Sequence, residues 1–326
     1  MSPMKRDPEA VAQAVMEADS IAVCSHINPD GDTIGSALAI RLGLISLGKK
    51  VSVFCQDKVP DNLMFLPGAD MIGDPGKSTG SFDLMLAVDV SDIRRLGTGS
   101  LLIARSKRTA QIDHHPTNPQ YMQINSVDGE TPATCMLIYE QLKVLGVPLT
   151  TEIGMCLYTG ISTDTGNYAF ASTNAEAFEI TAELMRTGIP LSMMNRILFR
   201  ERSREQVLLM GRALSSLRYE AGGKLAVMTL TRKDFDDCGA KNEHADTLVN
   251  FGLETVGTKM AILAREDEEE NVIKISLRAK EPARVDDIAQ RFGGGGHPQA
   301  AGISMRGTLD AVTAVVAAAM AEKLIG

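Results

Sequence analysis

The sequence predicts an α/β protein: an N-terminal domain with a parallel sheet flanked by helices, followed by a smaller α/β domain. Three observations carry this. Short apolar runs of β type alternate with helical stretches through the first half of the chain. The acidic and histidine residues with the most chemical reach fall at the ends of those runs, where α/β sheets collect their ligands. Beyond about residue 215 the pattern changes to strands paired across glycine or acidic turns.

Taken in order, positions 7–19 carry Val11, Ala14, Val15 and Ala18 at helical spacing. A buried strand at 21–24 runs into His26-Ile27-Asn28-Pro29-Asp30-Gly31-Asp32, and a helix over 33–47 ends at Gly48. Strands at 51–55, 84–88 and 109–112 follow; the second delivers Asp89 and the third Asp113-His114-His115, stopped by Pro116. Helices are expected at 133–145, 151–162 and 174–187, with Asp164 in the break between the last two. Gly188-Ile189-Pro190 marks a break, and 191–217 reads as a helical connector whose patch Arg200-Glu201-Arg202-Ser203-Arg204 is a solvated face. Strands at 217–221 and 225–230, a helix from Glu243, and strands at 259–264 and 272–277 come next. The run Gly293–Gly296, His297, a last strand and a helix over 309–324 complete the chain. The boundaries read as 1–187, a linker at 188–214, and 215–326.

Composition narrows the function classes. Hydrophobic residues are 44% and charged residues 23%, a globular balance. No apolar run approaches the ~18 residues of a membrane span, and the start, Met1 to Asp7, lacks the apolar segment of a signal peptide. A cytoplasmic protein with no membrane partner is expected. Cys24, Cys55, Cys135, Cys156 and Cys238 are scattered and form no C-x-x-C pair, so they read as small core residues. A formal charge of −8 argues against gripping long duplex DNA by counterion release; a nucleic-acid substrate should be short. A homodimer is compatible with all of this.

A His-His pair in a loop is most often a solvated turn. Its company overturns that reading here, because His26, Asp30, Asp32, Asp89, Asp113, His114, His115 and Asp164 all fall at strand ends or helix breaks. Carboxylates and imidazoles without thiolate suit Mn²⁺, Co²⁺ or Fe²⁺, suit Mg²⁺ less, and leave zinc open. The set is too large for one open catalytic ion and fits two that share a carboxylate. Asp30 and Asp32 can offer one carboxylate to each, and Gly31 permits the tight backbone between them.

His-x-Asn-Pro-Asp-Gly-Asp-x-x-Gly-Ser (His26–Ser36), Val-Asp-x-x-Asp (Val88–Asp92), Asp-His-His (Asp113–His115), Thr-Asp-Thr-Gly (Thr163–Gly166) and Gly-Gly-Gly-Gly-His-x-x-Ala-Ala-Gly (Gly293–Gly302) are ordered along nearly the whole chain. In this it resembles the DHH phosphoesterase family, and more narrowly the short bacterial nano-RNases that also dephosphorylate 3′-phosphoadenosine 5′-phosphate (pAp). The resemblance implies a catalytic domain over 1–187 and a DHH-associated, substrate-binding domain over 215–326. It implies two divalent cations, manganese, one held by His26, Asp30 and Asp89 and the other by Asp32, Asp89, His114 and Asp164, with Asp89 shared. Asp113 would orient a ligand histidine, His115 would face the phosphate, and a water activated by both ions would be the nucleophile. Substrates would be short oligonucleotides or pAp.

In the second domain the glycine run can form an anion-binding concavity. The resemblance assigns Gly294, Gly295, Gly296, His297 and Arg278 to the substrate's phosphate or terminal nucleotide. Many relatives carry serine where this chain has Ala279, which bears only on fine recognition. Gly76-Lys77-Ser78 mimics a P-loop end, but Met71 stands where that motif needs glycine. The competing readings are a phosphoanhydride hydrolase of exopolyphosphatase or pyrophosphatase type, a phosphodiesterase of linear dinucleotides such as pApA or pGpG, and a non-catalytic nucleotide sensor. A RecJ-type exonuclease is disfavoured, since it usually carries further nucleic-acid-binding elements.

Overall fold

In a computed structural model, which describes residues 6–325, the chain divides into two units, Met1–Glu201 and Arg202–Gly326. The expectation about the leader at residues 1–5 lies outside the described residues. Among the described residues no helix is long and apolar enough to cross a membrane.

The first unit is built on five parallel strands, β1 (Ser20–Cys24), β2 (Lys50–Phe54), β3 (Phe82–Val88), β4 (Ser106–Asp113) and β5 (Ile124–Val127), in the order β2-β1-β3-β4-β5. Strand side chains alternate between two buried faces, as a parallel sheet requires. Ile21, Val23, Leu84, Leu86, Val88 and Ile112 join one core with α1 (Pro8–Glu17), α2 (Gly31–Ser46), α4 (Thr134–Val144), α5 (Thr151–Asp164) and α6 (Ala175–Arg186). Ala22, Cys24, Met85 and Ala87 join the other with Val90 and Leu96, Leu102 of the short α3 (Leu101–Ala104), and Met122. The unit closes with α7 (Leu191–Asn195) and one π-helical turn, Arg196–Arg200. All five cysteines of the chain are buried free thiols.

The second unit has a six-stranded mixed sheet, order β10-β11-β9-β8-β7-β6. Its elements are α8 (Arg204–Ser215), β6 (Arg218–Glu220), β7 (Leu225–Leu230), α9 (Arg232–Cys238), α10 (Val249–Leu253), β8 (Met260–Glu266), β9 (Val272–Ala279), α11 (Asp286–Arg291), β10 (Gly295–His297), β11 (Ala300–Arg306) and α12 (Leu309–Ile325). One face of the sheet packs under α11 and α12, and part of the other under α8, α9 and α10.

Several expectations need correction. The connector is not one helix: the chain breaks at Glu201–Ser203, where Ser203 caps α8 by accepting from Gln206 N. The helix expected from Glu243 is a 3₁₀ turn, Asn242–Ala245, followed by the short α10. β5 and α9 are additional to the elements expected, and Asp164 is the last residue of α5 and not part of a break. The glycine run is half strand, with Gly295 and Gly296 in β10. The patch from Arg200 to Arg204 is exposed throughout, as expected.

Candidate metal centre

The carboxyl ends of β1, β3 and β4 converge beside the point where the strand order reverses, the usual ligand position of an open α/β sheet. The ends of β1 and β3 deliver His26 and Asp89, and that of β4 delivers Asp113, His114 and His115. His26 follows β1, and its Nδ1 lies 2.8 Å from its neighbour's carbonyl, Ile27 O, while Nε2 sits 3.5 Å from Asp30 Oδ2 and 3.4 Å from Asp89 Oδ2. His114 follows β4 and does the same with different partners. Its Nδ1 is 3.1 Å from Thr131 O, and Nε2 is 3.5 Å from Asp89 Oδ1, 3.3 Å from Asp164 Oδ2 and 3.9 Å from Asp32 Oδ2. A histidine whose Nδ1–H is tied to a carbonyl has its tautomer fixed and its Nε2 lone pair free, the usual arrangement of a metal ligand.

The separations carry more than proximity. Donor atoms around an ion at ~2.1 Å lie roughly 3.0–3.4 Å apart, longer than a strong hydrogen bond between the same atoms. Four of the five Nε2 to carboxylate distances, at 3.3–3.5 Å, fall at or just beyond that spacing, and His114 to Asp32 is longer at 3.9 Å. Asp89 turns Oδ2 toward His26 and Oδ1 toward His114, so one carboxylate faces two sides: it clusters with His26 and Asp30 on one and with His114 and His115 on the other, where His114 also clusters with Asp32 and Asp164. Asp89 also has φ +59, a left-handed backbone that non-glycine residues rarely adopt and that marks functional positions.

The helices fix the remaining carboxylates. Asp30 caps α2, with Oδ1 accepting from Asp32 N at 3.1 Å and Thr33 N at 3.0 Å, which leaves Oδ2 for His26. α4 begins at Ala133, which has no side chain to cap it; Asp32 of α2 does so instead, accepting from Thr134 N at 2.6 Å and Cys135 N at 2.9 Å. Thr134 Oγ1 donates to Asp89 Oδ1 at 2.8 Å. Gly31 lies in ordinary helical backbone; what matters there is room, because a Cβ would strike Thr163 of α5.

Burial and like charge leave these groups in need of cations. Asp32 is pushed up to about 7 by burial and by the charge of Asp89, and Asp164 to about 10 by burial together with Asp32, Asp89 and Asp30. Burial works against the charged forms of His26 and Asp89 too, but their mutual contacts outweigh it, holding His26 up at about 10 and Asp89 down at about 2. Carboxylates crowded until two hold protons near neutrality, around imidazoles whose Nδ1 lies against a backbone carbonyl and whose Nε2 faces them, fit divalent cations that would take the place of those protons.

Asp113 is fully buried and holds His115: its Oδ1 is 2.8 Å from His115 Nδ1. The resemblance puts Asp113 behind a ligand histidine; the structure puts it behind His115 and leaves His114 to Thr131 O. With Nδ1 committed to a carboxylate, His115 has only Nε2 for anything else. Burial opposes its protonation, but the Asp113 carboxylate prevails and raises its pKa.

In the second unit, register places His297, Ala300 and Arg278 in one row across β10, β11 and β9, so the three side chains share a face. Gly295, Gly302 and Ser276 form the next row. The result is a shallow platform of small residues flanked by a guanidinium and an imidazole. Gly296, at φ +148, must be glycine, because a Cβ would collide with Ala300 O and Ala301. Ala279 faces the buried core on the opposite side from Arg278, so its departure from serine lies off the platform.

Residues 20–161 match the DHH family N-terminal domain, and residues 222–322 match the DHHA1 domain. The bifunctional oligoribonuclease and PAP phosphatase NrnA of Thermus thermophilus is 33% identical over 306 residues, 93% of this chain and 90% of that protein. The protein of the same name from Bacillus subtilis is 26% identical over 88% of this chain and 90% of its own length. A crystal structure of an exopolyphosphatase-related protein from Bacteroides fragilis superimposes with a TM-score of 0.89 at 28% identity, covering 97% of this chain and 95% of that one.

The chain belongs to the DHH family. All eight residues singled out at strand ends of its DHH domain come together at one place, and the platform of its DHHA1 domain brings together Arg278 and His297. Sequence reasoning missed two members of the DHH site. Thr134 is one. The other is Asn118, buried behind the triplet, whose Nδ2 donates to Asp113 Oδ2 at 2.6 Å and to Val90 O at 3.2 Å while its Oδ1 accepts from Gln120 N at 2.7 Å. A buried asparagine two residues after a loop proline is the only signal the sequence offered.

Proposed function

We propose that this chain is a manganese-dependent phosphohydrolase that degrades very short oligoribonucleotides to mononucleotides and converts pAp to AMP. The observation that carries the reading is the division of Asp89 between two donor groups. His26, Asp30 and Asp89 would hold one cation, and Asp32, Asp89, His114 and Asp164 the other. Bound there, two divalent cations supply Lewis acidity toward phosphoryl oxygens and make water a competent nucleophile at neutral pH. The protein's own part is positional: the α4 N-terminus holds Asp32, Thr134 holds Asp89, and Asp113 favours the protonated form of His115 and leaves its Nε2 for the developing phosphoryl charge. The platform of Arg278, His297 and the Gly294–Gly296 run would take the terminal nucleotide or its phosphate. The NrnA relatives support this substrate class.

The likeness to an exopolyphosphatase-related protein favours a second reading, hydrolysis of phosphoanhydrides. Purified protein incubated with Mn²⁺ and, separately, a labelled RNA trimer, pAp, pyrophosphate and polyphosphate separates the two by chromatography of the products. Mononucleotide and AMP release, absent in Asp89→Ala, is the expected result. Phosphate release from polyphosphate alone would reverse the preference, and inertness toward all four would end the hydrolase reading.

A further inference from the structure

We propose that Arg95 is a substrate anchor of the DHH-domain site, gripping a non-bridging oxygen of the scissile phosphate; this rests on the hydrolase reading above. Two adjacent arginines follow β3 and have opposite surroundings. Arg94 is exposed and neutralised by Asp92, with Nη2 3.0 Å from Oδ2 and Nε 3.1 Å from Oδ1. Arg95 is half-buried and, among the described residues, has no carboxylate within ion-pairing distance. Its guanidinium instead lies at the edge of the metal centre, with Nη2 3.0 Å from Nδ1 of the buried His26, the ring nitrogen turned away from Asp30 and Asp89.

That contact cannot persist alongside a cation at Nε2. A guanidinium has only donors, so Nδ1 would have to accept, which moves the ring proton to Nε2, the atom facing Asp30 and Asp89. If Nε2 is to be a lone-pair donor, the proton stays on Nδ1 and goes to Ile27 O at 2.8 Å, and Arg95 is left pointing N–H at N–H. Arg95 therefore does nothing for His26 as a ligand. It is nonetheless held in place by its backbone, since Arg95 O accepts from Ile27 N at 2.8 Å and Arg95 N donates to Asp92 O at 3.1 Å. Its charge is also felt at His115, where it opposes protonation. A guanidinium with no carboxylate partner, 3.0 Å from one histidine of a phosphohydrolase site and near enough to a second for its charge to be felt, matches the planar oxygens of a phosphate, which it can take in fork geometry.

The test compares wild type with Arg95→Ala, Arg95→Lys and, as a neighbouring control, Arg94→Ala. Three quantities are read: KM and kcat for pAp, equilibrium binding of pAp by calorimetry in Ca²⁺, and Mn²⁺ affinity from the free-ion resonance. Loss of one charge-assisted contact should raise KM and weaken pAp binding about 10- to 100-fold in Arg95→Ala, with a smaller rise in Arg95→Lys and none in Arg94→Ala. Mn²⁺ affinity should stay level or tighten, because a competing positive charge has gone. Unchanged KM and pAp binding in Arg95→Ala would overturn the proposal, and so would a fall in Mn²⁺ affinity that parallels the loss of activity, since Arg95 would then only position His26. Wild type that turns over neither pAp nor short RNA defeats the hydrolase reading itself, a result distinct from an active wild type with an indifferent Arg95→Ala.

Discussion

Replacing Thr134 by valine removes one hydrogen bond and almost no volume. Its Oγ1 donates to Asp89 Oδ1 at 2.8 Å, and both residues are buried, Thr134 at 0% and Asp89 at 2% exposure. A buried hydrogen bond to a charged acceptor contributes about 1.5–3 kcal/mol, and valine leaves that oxygen without its donor. A unit of this size shifts about 2–4 °C per kcal/mol, so Thr134→Val should lower Tm by about 3–12 °C. The carboxylate is also the one shared between both donor groups, and losing the partner that orients a ligand typically weakens metal binding about 10- to 100-fold. Differential scanning fluorimetry in EDTA reads the first effect and a Mn²⁺ titration the second; Thr134→Ser, which keeps the hydroxyl, should recover most of both. If Thr134→Val melts within about 1 °C of wild type and binds Mn²⁺ as well, the hydroxyl does not position Asp89 and the description of the site is wrong at that point.

Three further outcomes are expected. Asn118→Ala removes the 2.6 Å donor to Asp113 and with it the restraint on His115, so kcat should fall about 10-fold or more while Mn²⁺ affinity holds; a matching loss of Mn²⁺ affinity would make His115 a ligand instead. Gly160→Ala places a methyl group against Cys135 Sγ and Asp32 Oδ1, and should cost about 1–3 kcal/mol by overpacking and weaken Mn²⁺ binding as Asp32 is displaced; normal stability and binding would show that α5 yields freely. In EDTA the melting temperature should fall as pH rises from about 4 to about 10. The folded chain holds protons on Asp32 (to about 7), Asp164 and His26 (both to about 10) more tightly than the unfolded chain, whose values are about 3.9 and 6.5, so their stabilisation is lost as pH climbs through the folded values. Saturating Mn²⁺, which takes the place of those protons, should flatten that slope, and a slope unchanged by Mn²⁺ would remove the link between the site and stability.

What the sequence disclosed and what it hid divide along a physical line. His26, Asp89 and His114 were legible because each stands just past a β-type run that ends in buried residues, where a charged or imidazole side chain has no packing role. Thr134 was not, because threonine opening a helix has an ordinary explanation, and its partner Asp89 lies 45 residues away. α9 was overlooked since Arg232–Cys238 is charged on most sides, although Thr231 and Asp234 form a reciprocal cap that its sequence does announce. β5 is a four-residue edge strand, too short for alternation to register. The glycine run misleads for another reason: glycines usually signal freedom, whereas Gly294 and Gly296 are there because the adjoining strand leaves no space for a Cβ.

The same local economy explains how so many carboxylates can share one location before any cation arrives. Asp32 has its charge opposed by two backbone N–H groups at the start of α4, and α4 in turn has no other cap, so the helix and the ligand depend on each other. Asp30 stands in the same relation to α2. Asp89 is met by a hydroxyl and two imidazoles. Asp164, at the C-terminal end of α5, is met only by His114 Nε2 at 3.3 Å among the described contacts; otherwise it faces carboxylates and the negative end of a helix dipole, and its pKa is raised further than that of Asp32. Its proton is therefore the one a cation must displace at greatest cost below a pH of about 10, and Asp164→Asn, which needs no proton, should stabilise the EDTA-treated protein at pH 8 while weakening Mn²⁺ binding. Stability and cation affinity that fell together in that variant would mean Asp164 is held by contacts other than those described.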